Sequence, residues 1–161
     1  MALEFIIGVS LALVVIAWQF LYGAPYLPSH REVINDVVAL AEKYNRTTIA
    51  DLGSGDGRVV RALAKKGINT IGYELNPFLV WLSRLRIGRI GARIERANYW
   101  KVDISKFDAI FFFGMPHLME RLDKKCMDEL QEGAYIFSNG FSLPSFPLTE
   151  KRGTIYVYKK V

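Results

Sequence analysis

The residues best equipped for chemistry in this chain of 161 residues form one octet, Asp51-Leu52-Gly53-Ser54-Gly55-Asp56-Gly57-Arg58, followed 23 positions after Asp51 by Glu74. Glycine at alternate positions lets a backbone turn adopt conformations closed to other residues and approach a ligand without side-chain obstruction. The G-x-G-x-G spacing differs from the G-x-G-x-x-G turn that seats a pyrophosphate, and the octet lacks the lysine of a phosphate-binding loop. Asp51, placed before the first glycine, would repel a phosphate and suits a cationic group such as an ammonium or a sulfonium. Glu74 can accept hydrogen bonds from a pair of ribose hydroxyls if it closes the next strand. Each feature has a plainer reading: glycine turns also serve as tight connections, and a strand-end glutamate is often simply solvated.

Those residues need a strand ahead of the turn and a helix behind it. Thr47–Leu52 is β-rich and runs into the glycines, and Val59–Lys66 reads as a helix stopped by Gly67. Strand, glycine turn and helix open a nucleotide-type α/β unit. Ser29 and Glu32 have capping-box spacing and predict a helix start, after which Val33, Ile34, Val37, Val38, Ala41 and Tyr44 recur on one helical face. Further along, a strand is expected at Asn69–Glu74, a helix from about Pro77 and a short strand near Arg93–Ala97. Phe107–Phe113 reads as a buried parallel strand and is followed by an amphipathic helix with Leu118, Met119, Leu122 and Leu130 on its inner side. Strands are expected at Ala134–Ser138 and Thr154–Tyr158, joined by a loop over Asn139–Gly153 and lying as antiparallel neighbours at one edge. The fold class is α/β, a Rossmann-like sheet with helices on both faces.

Hydrophobic residues make up 51% of the chain and charged residues 23%, a balance that excludes intrinsic disorder. A lone cysteine, Cys126, excludes an internal disulfide and thiolate zinc clusters, and with His30 and His117 as the two histidines no metal site is expected. The first residues are of a different kind. From Phe5 to Tyr22 the only polar residues are Ser10 and Gln19, and no charged residue occurs between Glu4 and Arg31. The run is long enough to span a bilayer and too long and acid-flanked for a signal peptide, so residues 5–22 are expected to be an uncleaved single-pass anchor. All 21 Lys and Arg follow it, which places the C-terminal domain on the cytoplasmic or an equivalent side. A buried apolar helix of the globule is the alternative. The expected division is an anchor and pre-domain segment at residues 1–28 and a catalytic domain at residues 29–161.

Setting Glu4 aside leaves 15 acidic residues against 21 basic ones from Arg31 onward, a balance of +6. Arg84, Arg86, Arg89, Arg93 and Arg96 cluster without the interleaved aromatics of an RNA-binding surface. Nucleic acid is therefore not expected as a partner; a solvated basic face is expected, with a lipid-facing patch as the other reading.

The combination of D-x-G-x-G-x-G with Gly72-Tyr-Glu74-Leu-Asn-Pro77 resembles the class I, seven-stranded S-adenosylmethionine-dependent methyltransferases, over about Ser29 to the C-terminus. The resemblance implies S-adenosyl-L-methionine as cofactor. Asp51, Gly53 and Gly55, with Ser54 and Gly57 in the same turn, would line its methionine end, and Glu74 would hold the ribose. Asn98 stands where that superfamily commonly has an aspartate beside the adenine, and Trp100 either stacks on the base or fills core.

With Gly23-Ala-Pro-Tyr-Leu-Pro-Ser29 after the anchor, Asn98-Tyr-Trp-Lys101 and Phe113-Gly-Met-Pro116, the chain resembles more closely the membrane-anchored protein-lysine methyltransferases. Known members act on the adenine nucleotide translocase and on the membrane-embedded c-ring protein of the ATP synthase in the mitochondrial inner membrane. This chain is shorter than the eukaryotic members and shows no Arg- and Ser-rich transit segment, so a prokaryotic relative is expected. The likeness implies a lysine-bearing, membrane-associated protein substrate and a role for the segment containing Tyr26 in placing it. Gly114-Met115-Pro116-His117 replaces the N/D-P-P-Y/F loop of amine-modifying relatives, leaving the Gly114 and Met115 carbonyls as acceptors from the lysine ammonium. His117 reads as a base or as a solvated residue at a helix start, and Tyr26, Phe141 and Phe146 read as walls for the lysine stem or as core. An RNA or other methyltransferase and a non-enzymatic S-adenosylmethionine-binding membrane protein are the other functions the residues allow.

Overall fold

A computed structural model of the chain describes Ile6 and residues 28–161. Apart from Ile6, the expected anchor at residues 5–22 lies outside the described residues, as does Tyr26. Among the described residues no helix is long and apolar enough to cross a membrane.

Helix α1 (Arg31–Lys43) is followed by β1 (Thr48–Leu52), α2 (Arg58–Ala64), β2 (Asn69–Glu74), α3 (Pro77–Ile87) and β3 (Arg93–Arg96). After a 3-10 turn at Tyr99–Lys101 come β4 (Ala109–Phe113), a second such turn at Pro116–Leu118, α4 (Met119–Glu129), β5 (Tyr135–Asn139), β6 (Leu148–Arg152) and β7 (Ile155–Lys159). The seven strands form one sheet in the order β3-β2-β1-β4-β5-β7-β6. The first five strands run parallel, and β7 lies antiparallel between β5 and β6. Parallel neighbours need crossover helices, which cover both faces and make the strands apolar throughout. On one face, Val37 and Leu40 of α1 and Val59 and Leu63 of α2 pack on Ile49, Phe111, Phe137 and Val157. On the other, Met119, Leu122 and Cys126 of α4 cover Ala50, Leu52, Ile110 and Phe112. Helix α3 lies beside α2, where a Cβ on Gly57 would meet the Ser83 Cβ at 2.6 Å. Gly57, at φ +76°, is thus needed both for its backbone conformation and for the close approach of the two helices.

Two local expectations change. The N-cap of α1 is His30 rather than Ser29, and no side chain caps it. The Ser29 carbonyl instead accepts a hydrogen bond from Arg58 Nη1 at 3.1 Å, so a long-range contact replaces the local box. The expected loop over Asn139–Gly153 contains β6, which takes the edge position and leaves β7 inside the sheet. Its sequence, LTEKR, is mostly exposed, as suits an edge strand that resists further pairing, and so carries no apolar alternation.

Candidate active site

The parallel register brings the chemistry-bearing residues to one edge of the sheet. Asp51 pairs with Gly72 and Phe111, Glu74 with Arg96, and Phe113 with Asn139, so Asp51, Glu74, Asn98 and Gly114 all lie at or just past the carboxyl ends of β1 to β4. This is the edge at which open α/β sheets take ligands, because the loops diverge there about the point where strand order reverses.

The glycine turn is fastened across two strands. Gly53 and Ser54 N–H both donate to the Tyr73 carbonyl, at 2.9 and 3.0 Å, and Gly55 N–H donates to Glu74 Oε2 at 2.9 Å. The other Glu74 oxygen accepts from Asn76 N–H at 2.8 Å. Asn76 in turn caps α3, its Oδ1 accepting from Phe78 and Leu79 N–H, with Pro77 at the first helical position where a missing N–H costs nothing. Thus Gly72-Tyr-Glu74-Leu-Asn-Pro77 works as one local device. Its glutamate is held by two backbone amides with lone pairs remaining toward the cleft, and its asparagine starts the next helix.

Asp51 is 2% exposed and accepts no hydrogen bond among the described residues. Burial, and then the nearby Glu74 and Asp56 carboxylates, push its pKa up to about 8. A buried carboxylate without a partner is costly unless a cation meets it. The neighbouring Ser54 hydroxyl is also buried without a partner among the described residues. Both groups fit a guest that is cationic and able to hydrogen bond. Asp56 differs: it is paired with Arg58 Nη2 at 2.7 Å and with Arg86 Nη1 at 2.5 Å, so it joins the turn to α3.

Around this turn, Asn98 Oδ1 accepts from Trp100 N–H at 3.1 Å and caps the 3-10 turn. The Trp100 ring is half-buried against the core, with the Arg121 guanidinium 4.1 Å from its centroid. Tyr99, which sequence reasoning passed over, stands above the glycines: a Cβ on Gly53 would lie 4.0 Å from Tyr99 Cε1. Burial raises the Tyr99 pKa, with Glu74 among the charges it feels. No periodic signal marks Tyr99, because its place follows from how the turn after β3 folds back over β1.

Gly114 is buried past β4, where its N–H donates to the Asn139 carbonyl at 3.1 Å. A Cβ there would meet Met119 Sδ at 2.5 Å and Phe141 Cδ2 at 3.5 Å. Met115 is half-buried, and its carbonyl accepts from Leu118 N–H at 2.9 Å; Pro116 and His117 are exposed. Phe141 and the exposed Phe113 flank this loop, whereas Phe146 is buried against Tyr158 as core.

The family model described as the ANTKMT methyltransferase domain matches residues 51–150. A lysine N-methyltransferase of the ATP synthase c-ring protein, from Xenopus laevis, is 38% identical over 150 residues, covering 86% of this chain and 66% of that protein. An adenine nucleotide translocase lysine N-methyltransferase of Mus musculus is 35% identical over 127 residues, covering 76% and 55% respectively. The chain thus spans between about half and two thirds of the length of these relatives. A crystal structure of an RNA methyltransferase from Salinibacter ruber in complex with S-adenosyl-L-homocysteine superposes with a TM-score of 0.72 at 23% identity, over 83% of this chain and 92% of that one. That superposition establishes the seven-stranded methyltransferase fold. With the glycine turn, the strand-end carboxylates and the loop past β4 all inside the matched segment, the chain belongs to the ANTKMT methyltransferase domain family.

Proposed function

We propose that the protein is an S-adenosylmethionine-dependent protein-lysine N-methyltransferase whose target is a membrane-associated protein. One observation carries the cofactor assignment: a buried, unpartnered Asp51 carboxylate under a glycine turn, with the Glu74 carboxylate at the end of the adjacent strand. The names of the relatives support lysine as the acceptor.

Asp51 would take the ammonium of the methionine end, Gly53, Ser54, Gly55 and Gly57 would let that end approach the backbone, and Glu74 would hold the ribose hydroxyls. Asn98 and Trp100 would border the adenine, with Tyr99 between base and turn. When bound, S-adenosylmethionine supplies a methyl on a sulfonium: the lysine nitrogen forms the N–C bond as the C–S electron pair returns to sulfur. The chain's part is placement, since holding reactants in line is worth roughly 7–11 kcal/mol in well-oriented reactions. The incoming lysine must be neutral, and the apolar approach formed by Phe113 and Phe141 disfavours its ammonium and sends the proton to solvent. Of the two candidate carbonyls, that of Met115 is engaged by Leu118, so Gly114 is assigned as the acceptor that orients the amine. His117, exposed beside Pro116, is assigned no proton transfer.

Residues 5–22 would hold the domain at a bilayer, on the cytoplasmic or an equivalent side, and Tyr26 would approach the target. Such tethering raises the effective concentration of lysines on membrane proteins. The deciding experiment incubates the full chain with radiolabelled S-adenosylmethionine and membranes from cells lacking it. Label on a protein lysine is the expected result. Label in RNA would replace the proposal with an RNA methyltransferase, and cofactor binding with no label in any fraction would replace it with a binding protein.

A further inference from the structure

Helix α3 presents an apolar stripe outward. Phe78, Trp81 and Leu85, spaced three and four residues apart on one helical face, are 64%, 58% and 61% exposed. Single exposed apolar residues are ordinary, but an aligned aromatic and aliphatic stripe is a contact surface. Its opposite face is satisfied in the usual way, with Leu79, Val80, Ser83 and Ile87 buried against the sheet and α2.

The surroundings of the stripe restrict what can cover it. From Leu75 to Ile94 the chain carries Arg84, Arg86, Arg89 and Arg93 and no acidic residue. Arg84, Arg89 and Arg93 are exposed, while Arg86 points to Asp56. An aromatic and aliphatic face bordered only by arginines matches a helix lying in the plane of an anionic bilayer interface, its rings at the headgroup and acyl boundary and its guanidinium groups on phosphates. The path of the chain agrees. Arg86 of α3 meets Asp56, Asp56 meets Arg58, and Arg58 holds the Ser29 carbonyl. The N-terminal segment therefore enters the domain within a four-residue relay of this helix.

We infer that α3 is a second, interfacial membrane contact, in which Phe78, Trp81 and Leu85 enter an anionic lipid surface while Arg84, Arg89 and Arg93 bind its phosphates. The inference draws on the reading of residues 5–22 as an anchor for the direction of approach only. With α3 against the lipid, the turn it follows, and hence the Glu74 end of the cleft, is held at a fixed height above the membrane.

The chain's lone cysteine is buried, so Leu85→Cys on the full chain creates a single accessible thiol for an environment-sensitive fluorophore. Lys124→Cys, on α4 across the sheet, is the control. The two proteins are reconstituted in vesicles of phosphatidylcholine alone or with phosphatidylglycerol. The inference expects the label at position 85 to shift to the blue, brighten several-fold and be quenched by acyl-chain quenchers when phosphatidylglycerol is present, with no change at position 124. Arg89→Glu with Arg93→Glu should remove the response. A label at 85 that stays water-like in phosphatidylglycerol vesicles overturns the inference. So does one that is shielded equally without anionic lipid and crosslinks to residues 5–22, to a second copy or to another protein. Alkaline carbonate extraction separates this from the anchor reading: protein that resists extraction with an unshifted label retains the anchor and loses α3, and protein that is extracted yet shifts retains α3 and loses the anchor.

Discussion

Ser54 packs directly onto the backbone of Gly72: a Cβ added at Gly72 would lie 2.7 Å from both Ser54 Cβ and Ser54 Oγ, and as near to Ile94 Cδ1. Two segments of the site, the glycine turn after β1 and the middle of β2, are thereby locked at a separation that only glycine permits. Gly72→Ala must displace the turn, because Ser54 is tied by its own N–H to the Tyr73 carbonyl. Overpacking of this kind typically costs about 1–3 kcal/mol. The expected outcome is a lowered Tm and cofactor affinity reduced by roughly tenfold or more, read by thermal denaturation and by titration with S-adenosyl-L-homocysteine. Normal affinity would mean that the turn does not contact the ligand.

Asp51 links stability to pH with a determined sign. Its folded-state pKa lies at about 8 against an unfolded value of 3.8, so the folded state holds more protons across that interval. The associated stability is fully present below about pH 4 and is lost as pH rises through about 8. Asp51→Asn removes the titration. The unliganded variant should match the parent near pH 4.5 and exceed it in Tm by several degrees at pH 8.5, while binding S-adenosyl-L-homocysteine far more weakly. A variant that loses both stability and affinity would instead make Asp51 structural.

Cofactor affinity in the parent should rise between pH 6 and pH 8, since binding a cationic group requires the Asp51 carboxylate to ionise. Deprotonation of the ligand's own amine, near pH 8 for an α-amino group, opposes the gain above that. Isothermal titration across this range should show the acidic limb in the parent and a flattened one in Asp51→Asn. A limb that persists in the variant would assign it to another group.

Glu74→Ala removes a charged acceptor from the cleft and also frees the Gly55 and Asn76 amides it holds. Hydrogen bonds to charged groups contribute about 1.5–3 kcal/mol, so S-adenosyl-L-homocysteine affinity should fall roughly 10- to 100-fold. Glu74→Gln, which retains one acceptor oxygen, should fall less. Equal affinities in all three proteins would remove Glu74 from the site.

Cys126 is buried under α4, and its thiol pKa is pushed up to about 12, chiefly by burial. The thiolate is the reactive form, so the native protein should resist alkylation at pH 8 and react only at the rate of unfolding. Rapid labelling under native conditions would show that α4 opens locally.

The site was legible in the sequence to the extent that it is built from short-range chemistry. The glycines of the octet, with Asn76 and Pro77 at the start of α3, act within a few residues of one another, so residue type and spacing carry their meaning. Runs buried on both faces, such as the strand ending at Phe113, likewise announce themselves by unbroken apolarity. The order of the first five strands follows from the right-handed crossovers that such alternation requires.

What remained depended on partners far along the chain. Ser29 has a capping sequence, yet Arg58 takes its carbonyl and His30 begins the helix. Phe141 and Phe146 are alike in type and close in sequence, and only packing sends one to the loop past β4 and the other under Tyr158. Tyr99 stands over Gly53 because the turn after β3 folds back toward β1. Strand β6 has little burial of its own, and its place comes from hydrogen bonding to β7. Local propensity and periodicity determined the elements and the chemical character of the turn; tertiary structure decided which side chains face the cleft, since burial and hydrogen bonding are settled by neighbours distant in sequence.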